Sequence, residues 1–252
     1  MKKTHPFFEY AFQPIVHRGL SDNFSENTLE SFKETTSLGY KYLETDLRLT
    51  SDNYVVAFHD DNLKRVANFD KKINDISFNE IKNINLINGG TILDLGSLLE
   101  EFPRTKFNID VKDFNTLIPT IEILDSLNVY DRVCVASFNS FVLWRLKKMR
   151  PQSCVSMGVL DTFLFKLFNI LINEIDCIQV PLKWRGLKVF NNKLVKKAHL
   201  HNFKIHVWTI NDEEEMVKLI NENIDGIISD DAVLLKSVSE RFNLFDFENR
   251  KK

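Results

Sequence analysis

Residues 133–158, VCVASFNSFVLWRLKKMRPQSCVSMG, decide the fold class. Val133 to Ser137 is a short apolar run of strand character, Ser140 to Met149 has the periodicity of an amphipathic helix, and Cys154 to Gly158 returns to strand. Outward from here the alternation repeats. Upstream, Leu95 to Phe102 reads as helix, Phe107 to Val111 as strand and Thr116 to Leu127 as helix. Downstream, helices at Phe163 to Asn173, Lys193 to Leu200, Glu213 to Ile220 and Ala232 to Val238 alternate with strands at Cys177 to Val180, Ile205 to Thr209 and Gly226 to Ser229. Near the N-terminus, a strand at Pro14 to His17 precedes a helix expected over Ser25 to Leu38, with Asn27 and Glu30 at capping-box spacing, and a strand at Tyr42 to Asp46 follows.

Apolar strands separated by helices indicate a parallel sheet covered on both faces. Eight such units in 252 residues match an α/β fold of the closed (β/α)8 TIM barrel type, with a doubly wound open sheet as the structural alternative. Residues 62–91 are polar, rich in Asn and Lys, and end at Gly89-Gly90. We read them as an insertion after the second strand within one domain spanning 1–252, too poor in apolar residues to form a core of its own.

Composition is that of an ordinary globular protein, 44% hydrophobic and 27% charged, and a net charge of −2 gives no reason to expect nucleic acid. The three cysteines, Cys134, Cys154 and Cys177, each fall in an apolar strand run and read as core thiols. The opening MKKTHPFFEYAF lacks a signal-peptide core, and no apolar stretch reaches the roughly 18 residues of a membrane span. The expected location is cytoplasmic.

In a (β/α)8 barrel the chemistry lies at the C-terminal strand ends. His17-Arg18 end the first strand, Glu44 and Asp46 the second, Asp110 and Lys112 the third, and Trp208-Thr209 and Ser229-Asp230 the last two. Glu44 and Asp46 project from one face, as do Asp110 and Lys112. After the second strand the chain turns at Ser51-Asp52-Asn53 and returns as a hairpin. A turn centred on Ser51-Asp52 sets His59 opposite Glu44; one centred on Asp52-Asn53 sets it opposite Asp46. Three carboxylates, Glu44, Asp46 and Asp110, suit a hard divalent cation, Mg²⁺ or Ca²⁺, better than zinc. The competing reading is a structural ion pair of Glu44 or Asp46 with Arg18, Arg48 or Lys112. His17 and His59 suit acid–base work, and Arg18 and Lys112 suit an anionic oxygen such as phosphate. His5, His199, His201 and His206 read as structural histidines.

These residues resemble the glycerophosphodiester phosphodiesterases. The marks run in order through nearly the whole chain: His17-Arg18-Gly19, Glu26-Asn27-Thr28, Glu44-x-Asp46, Thr50-x-Asp52, His59-Asp60, Asp110-Val111-Lys112, Ser137-Phe138, Val207-Trp208-Thr209-Ile210-Asn211, Asp225-Gly226-Ile227 and Ile228-Ser229-Asp230. The resemblance implies a (β/α)8 barrel with an insertion after the second strand. It further implies Mg²⁺ or Ca²⁺ on Glu44, Asp46 and Asp110, acid and base roles for His17 and His59, and phosphate contacts from Arg18 and Lys112. Phe138 and Trp208 would line the same pocket. The expected reaction is hydrolysis of a small-molecule glycerophosphodiester to glycerol 3-phosphate and an alcohol. Asp110 stands where the family usually has Glu, one methylene longer, which would shift the cation or change the ion preferred; Ser229 and Ala232 replace a usual Thr and Pro.

The most apolar segment, Phe163 to Ile172, carries a polar stripe of Thr162, Lys166, Asn169 and Asn173. It reads either as a barrel helix packed on the sheet or as an apolar lip over residues 163–172 for a lipid chain or transient membrane contact, which would imply lysophospholipase D-type chemistry. A barrel that binds phosphodiesters without turnover is the reading from another class; the presence of both histidines and all three acids argues against it.

Overall fold

The computed structural model describes residues 4–19 and 23–247. Its strands are β1 (Gln13–Val16), β2 (Tyr42–Leu49), β3 (Val55–Ala57), β4 (Lys106–Val111), β5 (Val133–Ala136), β6 (Cys154–Val155), β7 (Cys177–Pro181), β8 (Lys183–Trp184), β9 (Leu187–Lys188), β10 (Lys204–Trp208) and β11 (Gly226–Ser229). Eight of them run parallel in the order β6-β5-β4-β2-β1-β11-β10-β7. The two end strands meet through a parallel bridge between Ser156 and Cys177, where Met157 N–H donates to the Cys177 carbonyl at 3.0 Å. The sheet is thereby a nearly closed TIM barrel, as the alternation in sequence indicates.

Most of the covering helices open on a side chain that accepts from their own first turn: Thr28, Asp94, Asn139, Asn191, Asp212 and Asp231. Each cap ends a loop from a strand's C-terminal end, so the caps fix the loops that carry the site. Beneath, Phe7, Phe8 and Tyr10 pack on Ile15, Tyr42 and Ile228 and close the barrel floor. Cys134, Cys154 and Cys177 lie in this cluster as free buried thiols, as expected.

Three expectations are corrected and one element is added. The first helix spans Leu29–Ser37, not Ser25 to Leu38; its cap is Thr28 with Ser31, because Asn27 takes a left-handed backbone (φ 57) and turns its side chain into the barrel. The helix expected from Phe163 begins at Val159 and ends at Phe168, where Asn169 (φ 58) reverses the chain, so Asn173 is not part of any helical stripe. Only Asp161 and Phe165 of this helix are buried. The insertion does hold a core: Leu63, Val66, Ile73, Ile76, Phe78, Ile81 and Leu86 pack on Val56 and Phe58 of the hairpin, apolar residues too scattered in sequence to show a period. Finally, β8 and β9 form a small hairpin after β7 that the sequence did not announce.

Candidate functional site

The first strand ends at Val16, and the next three residues make a tight reversal with Arg18 (φ 56) and Gly19 (φ 58) both left-handed. A Cβ on Gly19 would stand 2.4 Å from the Phe32 ring, so only glycine fits. The reversal brings the Arg18 N–H to Glu44 Oε2 (3.1 Å), while its carbonyl accepts from Asn27 (2.8 Å). His17 lies between two acids, with Nδ1 2.6 Å from Asp230 Oδ1 and Nε2 3.8 Å from Glu44 Oε2. Asp230 is itself held by Asn211, which donates to Oδ2 at 2.7 Å.

Register places the carboxylates. Parallel pairing of β2 with β4 sets Asp46 beside Asp110 and Glu44 beside Asn108. Asp46, 1% exposed, meets Arg18 Nε at 3.0 Å, Lys112 Nζ at 2.6 Å and Asn27 Nδ2 at 3.2 Å. Lys112 also lies 2.5 Å from Asp110 Oδ2, so its ammonium bridges the two acids. The ion pair weighed for Asp46 is therefore present, with Arg18 and Lys112 together. Burial pushes the Glu44 carboxyl up, and neighbouring Asp46 pushes it further. Burial acts in the same direction on Asp46, but Lys112 and Arg18 outweigh it and hold that carboxyl down. For His17, burial opposes charging, yet Glu44 and the hydrogen bond to Asp230 prevail and raise its pKa.

His59 arrives by neither expected register. The β2–β3 ladder pairs Leu47 with Ala57 and Leu49 with Val55, around a three-residue loop in which Asn53 (φ 64) is left-handed. Both expected pairings miss by one residue, because an odd loop shifts the ladder by one position. His59 lies two residues beyond the last strand residue, so strand alternation does not govern it. Arg48 holds its carbonyl through Nε at 3.0 Å, and Asp60 Oδ1 lies 2.7 Å from its Nδ1. From Asp60 a chain of alternating charges runs through Arg65 of the insertion (2.8 Å) to Glu26 (2.6 Å), then to Arg18 (3.0 Å). The Asp230, Glu26 and Arg65 contacts were not assigned from sequence. Asp230 and Arg65 join segments 213 and 39 residues apart, which no local pattern spans, and the Arg18–Glu26 pair follows the left-handed reversal at Arg18 (φ 56).

His17, Arg18, Glu44, Asp46, His59, Asp110, Lys112, Phe138 and Trp208 all line one cavity of about 600 Å³ at the C-terminal strand ends. Phe138 stacks edge-on to Trp208 (5.7 Å) and tilts against Trp184 (5.3 Å), the latter unassigned from sequence. Under the site a buried polar row crosses the barrel: Asn108 accepts from Gln179 (2.8 Å), which faces His206 (3.2 Å), and His206 faces Gln13 (3.1 Å). Burial lowers His206 to about 4, so it is neutral and structural. His5 and His199 likewise have hydrogen-bond partners in Gln152 and Asp225, whereas His201 stacks on Phe203.

Among the described residues, no three His, Cys, Asp or Glu side chains stand at metal-ligand spacing. The donor set nonetheless fits a hard cation. Asp110 Oδ1 is buried without a hydrogen-bond partner, and burial together with Asp46 disfavours the charged form of Glu44, two features that a hard cation would relieve. A cation here would compete with the Lys112 ammonium for Asp46 and Asp110.

Residues 17–234 match the model of the glycerophosphoryl diester phosphodiesterase family. The probable glycerophosphodiester phosphodiesterase 2 of Mycobacterium tuberculosis is 28% identical over 235 residues, covering 89% of each chain. A glycerophosphodiester phosphodiesterase of Caldanaerobacter subterraneus is 29% identical, covering 88% of this chain and 95% of its own. Among solved structures, an Oleispira antarctica phosphodiesterase in complex with its product sn-glycerol-3-phosphate superposes with a TM-score of 0.75, at 25% identity, over 90% of this chain and 96% of that one.

Proposed function

The chain belongs to the glycerophosphoryl diester phosphodiesterase family and is a phosphoric diester hydrolase, and from that premise we propose that it cleaves glycerophosphodiesters to glycerol 3-phosphate and an alcohol by two-histidine acid–base catalysis. In this reading 1–252 is one barrel domain, with 62–91 an insertion that carries Arg65 to the site. The observation that carries the proposal is that two imidazoles, each paired through Nδ1 with its own carboxylate, line one cavity with Arg18 and Lys112.

With Nδ1–H directed to a carboxylate, the Nε2 of each ring is left for chemistry. The raised pKa of His17 favours imidazolium, whose Nε2–H protonates the departing alcohol oxygen. His59 takes the proton from the attacking oxygen, either water, which gives glycerol 3-phosphate directly, or the glycerol 2-hydroxyl, which gives a cyclic phosphodiester that water then opens to glycerol 3-phosphate. Arg18 and Lys112 hold the phosphoryl oxygens as charge builds on them. Glu44, Asp46 and Asp110 would hold Mg²⁺ or Ca²⁺, which when bound supplies further positive charge for those oxygens.

Release of glycerol 3-phosphate from a panel of glycerophosphodiesters, with and without EDTA, tests this directly. Release should fall to background with chelator and return on adding Mg²⁺ or Ca²⁺. A rate indifferent to chelation would remove the cation from the proposal, and no release from any diester would remove the activity.

The His17 assignment has its own test. Asp230→Asn deletes a carboxylate that raises the His17 pKa. An acid works only below its pKa, so the alkaline limb of the kcat/KM profile should move to lower pH. An unmoved alkaline limb would reject His17 as the acid.

A second reading rests on the other half of the cavity. Met157, Val159, Phe163, Leu167, Trp184 and Leu187 make an apolar wall continuous with the charged end, which suits a lysophospholipid chain. Comparing glycerophosphocholine with lysophosphatidylcholine decides it: turnover of the deacylated compound alone discards the lipid substrate.

A further inference from the structure

The helix Val159–Phe168 is turned inside out for a barrel helix. Apart from Asp161 and Phe165 its residues are not buried, and the chain beyond it stays apolar and exposed through Ile170, Leu171 and Ile172. Phe163 is 53% exposed, Leu167 57% and Phe168 60%. Of the eighteen exposed large apolar side chains among the described residues, eight fall within residues 159–172. Isolated exposed apolar residues are ordinary; a contiguous group of this kind marks a contact surface.

What covers it is indicated by charge. From Cys177 to Asn211 the chain has seven Lys or Arg and no Asp or Glu, in a protein whose net charge is −2. Lys183, Arg185 and Lys188 are exposed on the β8–β9 hairpin, which also carries Leu187 at 74% exposure. This hairpin lies against the apolar helix, since Lys166 Nζ donates to the Lys188 carbonyl at 2.7 Å. Lys193 and Lys196 extend the basic surface on Asn192–Leu200, and that helix is tied to Val159–Phe168 through Lys197 and the Phe165 carbonyl. Helix and hairpin both rim the mouth of the cavity. Aromatic and aliphatic residues bordered by lysines, and no acid on the hairpin, complement an anionic bilayer surface. Among the described residues no helix is long and apolar enough to cross a membrane.

We propose that the face formed by residues 159–172 and the β8–β9 hairpin docks the protein on anionic lipid bilayers, with the cavity mouth turned to the membrane. The inference is independent of which diester is cleaved, because docking is read without turnover. The test is flotation with vesicles of phosphatidylcholine alone and of phosphatidylcholine mixed with phosphatidylglycerol. The wild-type chain should float with the mixed vesicles and much less with phosphatidylcholine. Phe168→Glu combined with Leu171→Glu should lower binding more than tenfold. Lys183→Gln with Arg185→Gln should lower it about fivefold per charge on mixed vesicles only. All four residues lie outside the cavity lining, and unchanged melting curves would show the variants folded. Absence of wild-type flotation with either vesicle overturns the proposal. So does vesicle binding that none of these substitutions alters. A dimer in solution that Phe168→Glu and Leu171→Glu dissociate, without any vesicle binding, would assign the face to a second copy instead.

Discussion

His17→Ala should lower kcat/KM for a glycerophosphodiester by about three orders of magnitude, within the range that removal of a general acid produces. The fold should survive. The His17 side chain is partly exposed, and the Asp230 it leaves behind keeps its hydrogen bond from Asn211. His59→Ala should cost a similar factor, since Asp60 stays paired with Arg65. If the two imidazoles act as acid and base in one concerted displacement, as proposed, the double variant should be little worse than either single one. Two losses that multiplied in full would mean independent roles and would break the acid–base pair as drawn. An unchanged rate in either single variant, with an unchanged melting curve, would reject the role of that imidazole.

How much of this could be read from the chain depended on how local each cause is. The barrel was legible because its strands are runs of Val, Ile, Leu and Phe buried on both faces, and capping residues punctuate the helices between them. The carboxylates were legible for a similar reason. Period-two alternation puts Glu44 and Asp46 on one face whatever the neighbour, and β4 supplies Asp110 beside Asp46. The hairpin register was not legible, because it hung on whether Asn53 adopts the left-handed backbone that closes a three-residue loop. The role of Asp230 could not be found either. Only barrel closure brings the last strand beside the first, pairing Val16 with Ser229. The insertion deceived by composition: its apolar residues are few but converge on Val56 and Phe58, which belong to the hairpin.

The helix Val159–Phe168 is the most instructive departure. A strongly apolar segment in a barrel is expected to face the sheet, and Phe165 does, sitting against Phe203 and His201. Asp161 is also buried and accepts from Trp144 Nε1 at 2.9 Å, while the other residues face outward or into the cavity mouth. Amphipathic periodicity can say that a helix has an apolar face, but not that two sides are apolar and only one finds protein to cover it.

Asp46→Asn should be the most damaging single change at the site, in stability as well as rate. The substitution is nearly isosteric, so the effect isolates charge. Asp46 is the buried counter-ion shared by Arg18 and Lys112, and it also accepts from Asn27. With an amide there, two cations keep their positions but lose a common carboxylate, and breaking a buried pair in this way costs about 3 kcal/mol or more. Under the proposed mechanism activity should fall about 100- to 1000-fold, as Arg18 would lose the anchor that sets it beside the phosphate and the proposed cation would lose a ligand. Asp110→Asn provides the contrast. Asp110 shares only Lys112, and its second oxygen has no partner, so the same substitution should cost less stability for a comparable loss of rate. Chemical denaturation and steady-state kinetics on both variants separate the two effects. If Asp46→Asn lowers stability while the folded enzyme keeps its full rate, Asp46 is only the structural ion pair that its contacts with Arg18 and Lys112 allow, and it leaves the catalytic proposal; if Asp110→Asn also leaves the rate intact, the unpartnered oxygen is no sign of a cation.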